Sequence, residues 1–276
     1  MIYSIYAFKE YLKKVTPNFI KNIFPYSLRV KIYSKIFPFY FIPTNLQKLP
    51  NINFIDNYNN LDVQHKYIDK FYSNFKQNSE MTFPNLMQEL NKKFNADSKF
   101  KFLDIGGEYI DFYLELNKNF KNIEYYFHNI KNINNVFNQL KKSYNFNNLF
   151  IIDRLEEISN NHFDFINLGA SLQYIEGYEI LLDKITNLKS YILISGIPVY
   201  KSKNKKQNKF IIVKQVRNSV GNYLYFFNKD YLFNIFKNKN FDIILEQDNA
   251  TDNVNLKNFE NIVDEISYLD LIFYKK

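Results

Sequence analysis

A short stretch just after residue 100 places an acid beside two adjacent glycines. In FLDIGGEYIDFY, residues 102–113, an apolar run leads to Asp104, Gly106 and Gly107 follow, and a helix-like pattern begins. Glycines at such a turn allow positive φ angles and a close approach of the backbone to a ligand. The stretch predicts a loop that binds a nucleotide-like cofactor. The alternative interpretation is an ordinary strand-to-helix turn, in which Asp104 caps the following helix.

Two common nucleotide motifs are absent from the sequence. The dinucleotide fingerprint G-x-G-x-x-G does not occur, because Glu108 and Ile110 follow the glycine pair without a third glycine. The phosphate-binding pattern G-x-x-x-x-G-K-[ST] does not occur either. What remains is an acid two residues before a glycine pair.

The elements around this loop alternate between buried strands and amphipathic helices. Short apolar runs such as FKFLDI, NLFII and YILISGIPV are separated by helical stretches such as INNVFNQLKKSY, which predicts parallel strands buried on both faces. A final helix is followed by two strands, FDIILEQDN and SYLDLIFYKK, that need no crossover and predict an antiparallel edge pair. We therefore expect a doubly wound α/β fold with a seven-stranded, mostly parallel, Rossmann-like sheet.

Parallel strands place the residues that follow them at one edge of the sheet, where such folds bind ligands. His128 and Asn129 follow the second predicted strand, and Asp153 follows the third. The turn after the fourth strand, GASLQY, contains small residues and then two hydrogen-bonding side chains. Its candidate residues are Gly169, Ala170, Ser171, Gln173 and Tyr174.

Three of these segments together resemble class I S-adenosylmethionine-dependent methyltransferases. They are FLDIGGEYIDFY, HFDFINLGASLQYIEGYEILLDKI and YILISGIPV. More narrowly, they are similar to a family of methyltransferases often encoded among bacterial surface-polysaccharide genes. The resemblance covers roughly residues 100–246, and SLQY is its most specific part. The matching residues are Leu103, Asp104, Gly106, Gly107, Ser171, Gln173, Tyr174, Ile175, Gly196, Pro198, Gln215, Phe226, Phe227 and Asn228.

This resemblance implies S-adenosylmethionine as cofactor and an activity that methylates oxygen of a sugar or a nucleotide-linked glycan intermediate. It implies a cofactor site formed by Asp104, Gly106, Gly107, His128, Asn129, Asp153, Gly169, Ala170 and Ser171. Gln173 and Tyr174 are expected to position the reactants, because alignment with an already activated sulfonium supplies most of the rate. Tyr174, Gln215 and Arg217 are the expected contacts to the small-molecule or glycan acceptor. The alternative for Gln173 and Tyr174 is that they only pack in the core, and for Gln215 and Arg217 it is that they only form strand ends in an edge hairpin.

Two other functions remain open at this point. Glu108 and Ile110 occupy glycine positions of the family loop, and His128 stands where that family has an acid. These differences favour the alternative of a methyltransferase-fold protein with lost or altered cofactor use that serves as a binding or scaffold subunit. A nucleic-acid methyltransferase would suit the net charge of +8. Against it, no N-P-P-Y-like motif follows the fourth strand.

Composition narrows the remaining classes. The chain has no cysteine and three widely separated histidines, so we expect no thiolate chemistry and no metal. Many residues have AT-rich codons, which accounts for much of the lysine excess, and nucleic acid is not an expected partner.

The sequence predicts a helical extension or lid, residues 1–95, and a methyltransferase domain, residues 96–276, with an insertion at about 199–228. We expect a cytoplasmic protein whose basic, aromatic residues 6–43, predicted as short helices, could touch a membrane surface.

Overall fold

The structure, a computed structural model, describes residues 39–43, 84–107, 110–202, 208–217, 220–248, 259 and 263–275. For residues 39–43, 84–86, 216–217 and 220–222 it describes the backbone alone. Most of the predicted helical extension lies outside these ranges, as does Glu108. None of the helices in the described ranges is long and apolar enough to cross a membrane.

The described residues form one ten-stranded sheet with helices on both faces. The strands are β1 (Phe39–Pro43), β2 (Lys99–Ile105), β3 (Asn122–His128), β4 (Leu149–Ile152), β5 (Phe165–Asn167), β6 (Tyr191–Ser202), β7 (Phe210–Arg217), β8 (Val220–Asn228), β9 (Phe241–Asp248) and β10 (Val263–Lys275). The helices are α1 (Pro84–Lys93), α2 (Asp111–Asn119), α3 (Lys131–Tyr144), α4 (Glu156–Ser159), α5 (Tyr178–Thr186) and α6 (Lys229–Lys237). A 3₁₀ turn, η1 (Leu172–Tyr174), lies between β5 and α5.

Seven of these strands form the predicted sheet. The parallel part runs in the order β4, β3, β2, β5 and β6. Strand β10 pairs antiparallel with both β6 and β9, so the last two strands form the expected antiparallel pair at this side of the sheet. The doubly wound, mostly parallel fold is therefore confirmed.

Two hydrophobic clusters flank the sheet, as its double winding requires. One contains Leu116 of α2 and Phe137 of α3, and the other contains Leu182 of α5 and Leu232 of α6. Strand β2 contributes to both clusters, because Phe102 faces one and Leu103 the other. Burial on both faces explains why this strand is an uninterrupted apolar run in the sequence.

Three further strands extend the sheet beyond the seven that were predicted. Strands β7 and β8 form an antiparallel hairpin within the predicted insertion, and β1 pairs antiparallel with β7. Residues 39–43 had been included in a segment of short helices, and that prediction is wrong for them. Their sequence, FYFIP, is aromatic and β-branched, which suits a strand, and its proline can be accommodated at the edge of a sheet.

A bulge interrupts β6 before the part of the strand that pairs with the hairpin. Ile194 pairs with Leu271 and Ile197 with Leu269, so two residues of β6 lie opposite Asp270 alone. Gly196 has a φ of 59°, and its amide donates to Asp270 Oδ1 at 2.8 Å. Such bulges bend a strand and increase its twist. Beyond the bulge, β6 pairs with β8, so the hairpin lies next to the sequence that follows β5.

Candidate functional site

The ends of β2 and β3 are joined by hydrogen bonds between the predicted site residues. The Gly106 amide donates to the His128 carbonyl at 2.8 Å, and Asn129 Nδ2 donates to the Gly107 carbonyl at 2.7 Å. These four residues come from two separate loops of the sequence. The structure therefore brings them together at the carboxyl edge of the sheet.

The two glycines are required by neighbouring protein atoms. A Cβ atom at Gly106 would lie 2.4 Å from Ser171 Cβ, and the φ of 77° at this residue is rarely adopted by other residues. A Cβ atom at Gly107 would lie 2.3 Å from Asp104 Oδ2. The glycine pair therefore lets the loop after β2 pack against the end of β5 and against its own strand.

Asp104 is buried in a polar cluster. Its side chain is 1% exposed, and it accepts hydrogen bonds from the Tyr125 hydroxyl at 2.6 Å and from Asn167 Nδ2 at 2.8 Å. No described Lys, Arg or His side chain forms an ion pair with it. Burial raises the pKa of Asp104 to about 6, although both hydrogen bonds act in the opposite direction. The pKa of Tyr125 is well above its ordinary value, mainly because it is buried, so its hydroxyl remains a donor.

A second polar network joins the ends of β3 and β4. Asn134, a buried residue in the first turns of α3, donates to the Ile152 carbonyl at 3.0 Å and to Asp153 Oδ1 at 3.1 Å. Its own oxygen accepts from the Asn129 amide at 2.9 Å. Asn129 and Asp153 are thus held at adjacent strand ends by one side chain, and Asp153 remains exposed to solvent.

His128 is oriented by the neighbouring strand. Its Nδ1 lies 2.8 Å from the Ile152 carbonyl oxygen. A carbonyl oxygen only accepts, so Nδ1 carries the proton, and in the neutral ring Nε2 is an acceptor. The ring is partly exposed. A neutral His128 therefore offers a hydrogen-bond acceptor at the position where the family that this chain resembles has an acid.

The turn after β5 is fixed to the loop after β2. Ser171 Oγ donates to the Ile105 carbonyl, and it also lies within hydrogen-bond distance of the Leu168 carbonyl. Gly169 has a φ of 45°, and its amide donates to Asn167 Oδ1 at 3.0 Å. Ala170 is exposed. The small residues predicted for this part of the site therefore lie together, beside the buried Asp104 cluster.

The β7–β8 hairpin forms a wall next to this turn. The Tyr174 hydroxyl at the end of η1 donates to Gln215 Oε1 of β7 at 3.1 Å. Tyr174 also packs against a cluster that contains Val213 and Phe226 of the hairpin. Arg217 ends β7 opposite Val220 of β8, and only its backbone is described. The structure thus joins Gln215 to the predicted site, while the role of Arg217 stays a prediction.

Ile110 does not project into the site. It is 3% exposed and belongs to the hydrophobic cluster that also contains Phe112 and Phe137. The isoleucine at this family glycine position therefore contributes to the core beneath α2. It does not narrow the space at the strand ends.

Three residues that hold the candidate site together are not predicted by the sequence. Tyr125 and Asn167 hold Asp104, and Asn134 connects β3 with β4. Tyr125 and Asn167 are 21 and 63 residues from Asp104, so no local motif links them to it. The one available signal was an asparagine as the last residue of the apolar run FDFIN, where a buried amide needs a partner.

Metal-ligating side chains do not cluster anywhere in the described ranges. No group of three or more His, Asp or Glu residues there could hold a metal ion.

Comparisons with known proteins give likenesses of fold. No family model matches the sequence, and no curated protein matches it. The N-terminal domain of EvdMO1, crystallised with SAH and D-fucose, is 13% identical, with 70% of this chain and 81% of that chain covered and a TM-score of 0.47. An S-adenosylmethionine-dependent methyltransferase from Clostridium acetobutylicum is 10% identical, with coverage of 76% and 98% and a TM-score of 0.45. The [4+2]-cyclase SpnF is also 10% identical, with coverage of 69% and 80% and a TM-score of 0.46. At such identities and TM-scores these likenesses carry no information about activity.

Proposed function

We propose that the protein is an S-adenosylmethionine-dependent methyltransferase. The observation that supports this most directly is the convergence of four strand ends, β2 to β5, on one set of linked polar and small residues. In an α/β sheet the ligand binds outside the carboxyl ends of the strands, where the strand order reverses. Here the order reverses between β2 and β5, and Asp104, Gly106, Gly169 and Ser171 flank that point.

The residues present fit this cofactor in charge and hydrogen bonding. The buried Asp104 carboxylate has no described cationic partner, and a cationic ligand next to the cluster would favour its ionised form. The partly exposed His128 has an acceptor in Nε2 for a ribose hydroxyl, and the exposed Asp153 can accept from the adenine amino group. Gly169 has no side chain and the exposed Ala170 has a small one, so both would allow a sulfonium centre to approach.

The chemistry that the cofactor supplies is a methyl group on a positively charged sulfur. Transfer would form a bond from the acceptor oxygen to the methyl carbon and break the bond from sulfur to that carbon, leaving S-adenosylhomocysteine, while the hydroxyl proton would pass to solvent. The chain's task is to hold and align the reactants and to exclude water. His128, Asn129 and Asp153 would hold the nucleoside end, and η1 with the β7–β8 hairpin would hold the acceptor.

We further propose that the acceptor is a hydroxyl of a sugar or a nucleotide-linked glycan intermediate. The resemblance of SLQY and its flanking segments to methyltransferases from surface-polysaccharide gene clusters supports this choice. The hairpin wall supports it as well, because the partly exposed Tyr174 and Gln215 can offer hydrogen-bonding groups to a sugar there.

The experiment is a transfer assay with tritiated S-adenosylmethionine and UDP-glucose or UDP-N-acetylglucosamine as acceptors. Radioactivity recovered in the sugar fraction is the expected result. Binding of the cofactor without transfer to either sugar would overturn the acceptor assignment. Failure to bind the cofactor at all would overturn the enzyme assignment and favour a scaffold role.

A further inference from the structure

One polar atom near the site lacks a partner. The Gln173 side chain lies in η1, is 3% exposed, and its amide oxygen Oε1 is buried without a hydrogen bond from the described residues. It is the one buried side-chain oxygen or nitrogen of the described residues in this condition. Proteins rarely leave such an atom unpaired, because no hydrogen bond then offsets the free-energy cost of removing the atom from water. An unpaired buried acceptor is therefore expected to have a use.

The turn that carries Gln173 is fixed on both sides. Before it, Ser171 Oγ is bonded to the Ile105 carbonyl of β2, and Leu172 is buried in the main hydrophobic cluster. After it, the Tyr174 hydroxyl is bonded to Gln215 of the hairpin. These anchors hold the Gln173 backbone between the cofactor loop and the hairpin wall. The position of Gln173 in the fold is thus set by its neighbours.

We infer that Gln173 Oε1 accepts a hydrogen bond from the O–H or N–H group that becomes methylated. This rests on the proposed function, and it names the residue that positions the acceptor. The group that attacks a methyl carbon must present a lone pair to it, and a hydrogen bond from its own proton to a fixed oxygen sets that direction. The position of Gln173, two residues after Ser171 and one before Tyr174, lies between the sites assigned to cofactor and acceptor.

The inference restricts the chemical class of the acceptor. A neutral hydroxyl or an amine carries the proton that Oε1 needs. A carboxylate carries none at neutral pH, and it would face the amide oxygen with a second acceptor. A site built to bond an O–H or N–H group discriminates strongly against an analogue without it, because its own polar atom is then left unpaired. The acceptor atom is therefore oxygen of a hydroxyl or nitrogen of an amine.

The first experiment measures the melting temperature of the full chain without ligand. Gln173→Met keeps the side-chain length and removes the unpaired oxygen, so we expect the melting temperature to rise by roughly 2–4 °C. Gln139→Met is the matched control, because Gln139 of α3 is exposed and its amide is solvated. An unchanged or lower melting temperature for Gln173→Met relative to Gln139→Met would overturn the inference, since Oε1 would then have a partner in the folded chain.

The second experiment separates positioning from cofactor binding. We expect Gln173→Met to bind S-adenosylhomocysteine like the wild type and to lower kcat/KM towards UDP-glucose by about tenfold, the value of one hydrogen bond. Gln173→Glu, which keeps an acceptor oxygen, should retain more transfer than Gln173→Met. Equal kcat/KM values for Gln173→Met and the wild type would overturn the inference. If the wild type binds the cofactor but transfers nothing to the sugar, the proposed acceptor fails, and a melting temperature that does not rise for Gln173→Met would still overturn the inference about Gln173.

Discussion

At the scale of single residues, the site is organised around a buried carboxylate. Asp104 accepts from Tyr125 and Asn167, and both partners come from neighbouring strands of the sheet. Two neutral donors stabilise its charge less than a cation would, so burial still raises the pKa of Asp104 to about 6. Asp104 matches the acid in the cofactor loop of the family that this chain resembles. Its ionised form therefore also lowers the stability of the folded protein.

This environment predicts a pH dependence of stability. The pKa of Asp104 is raised from 3.8 to about 6 on folding, so the folded protein binds this proton more tightly than the unfolded chain. The resulting stabilisation is present below pH 4, and it is lost as the pH rises through about 6. Its full size is about 3 kcal/mol from a shift of about two pKa units. Asp104→Asn should remove this part of the pH dependence.

Urea unfolding between pH 4 and 7.5 measures the effect. Other titrating groups contribute equally to both proteins, so the difference in the free energy of unfolding between Asp104→Asn and the wild type is the quantity to follow. Asp164→Asn is the control, because Asp164 is a partly exposed carboxylate that accepts from the Lys101 amide. Parallel stability curves for Asp104→Asn and the wild type would contradict the burial argument.

At the scale of elements, the distinctive feature is the β7–β8 hairpin that extends the sheet next to β6. The bulge at Gly196 bends β6, its outer half pairs with β8, and the β7–β8 hairpin then contacts η1. The hydrogen bond between Tyr174 and Gln215 connects the turn after β5 with this added wall. An element outside the seven-stranded core thus completes the proposed acceptor site.

We expect Tyr174→Phe to lower transfer while leaving the fold intact. The change removes the hydroxyl that donates to Gln215 Oε1 and keeps the ring that packs on the hairpin. Loss of one neutral hydrogen bond should reduce kcat/KM by roughly 2- to 10-fold and leave S-adenosylhomocysteine affinity unchanged. Steady-state transfer and calorimetric titration measure the two quantities.

Tyr126→Phe is a matched control for this prediction. Its hydroxyl donates to Glu124 Oε2 at 3.1 Å on β3, and the side chain is also partly buried. This variant should lose similar stability without losing transfer. A weaker affinity for S-adenosylhomocysteine in Tyr174→Phe would indicate that the tyrosine belongs to the cofactor site and would refute its assignment to the acceptor.

At the scale of the whole molecule, the sequence predicts the sheet better than the site. Strands buried on both faces are continuous apolar runs, so their alternation with helices was visible, and the antiparallel end followed from the absence of a crossover between the last two strands. The position of the β7–β8 hairpin in the sheet could not be predicted from the sequence, because it depends on a bulge at Gly196 and on pairing between distant strands. The partners of Asp104 were missed for the same reason, since hydrogen bonds between strands leave no local pattern.

The central claim is that the carboxyl edge of the sheet holds S-adenosylmethionine. The most direct test is calorimetric titration of S-adenosylhomocysteine into the wild type and into Ala170→Trp. Ala170 is exposed beside the bulge, and its Cβ is 3.6 Å from where a Cβ on Gly196 would lie, so a tryptophan there would fill the proposed sulfonium space without entering the core. Ala96→Trp, at an exposed alanine before β2 and hence at the amino edge, is the control.

We predict saturable micromolar binding by the wild type and by Ala96→Trp, and an affinity weakened about a hundredfold in Ala170→Trp. Absence of binding by the wild type up to millimolar ligand, or equal binding by Ala170→Trp, would contradict the account.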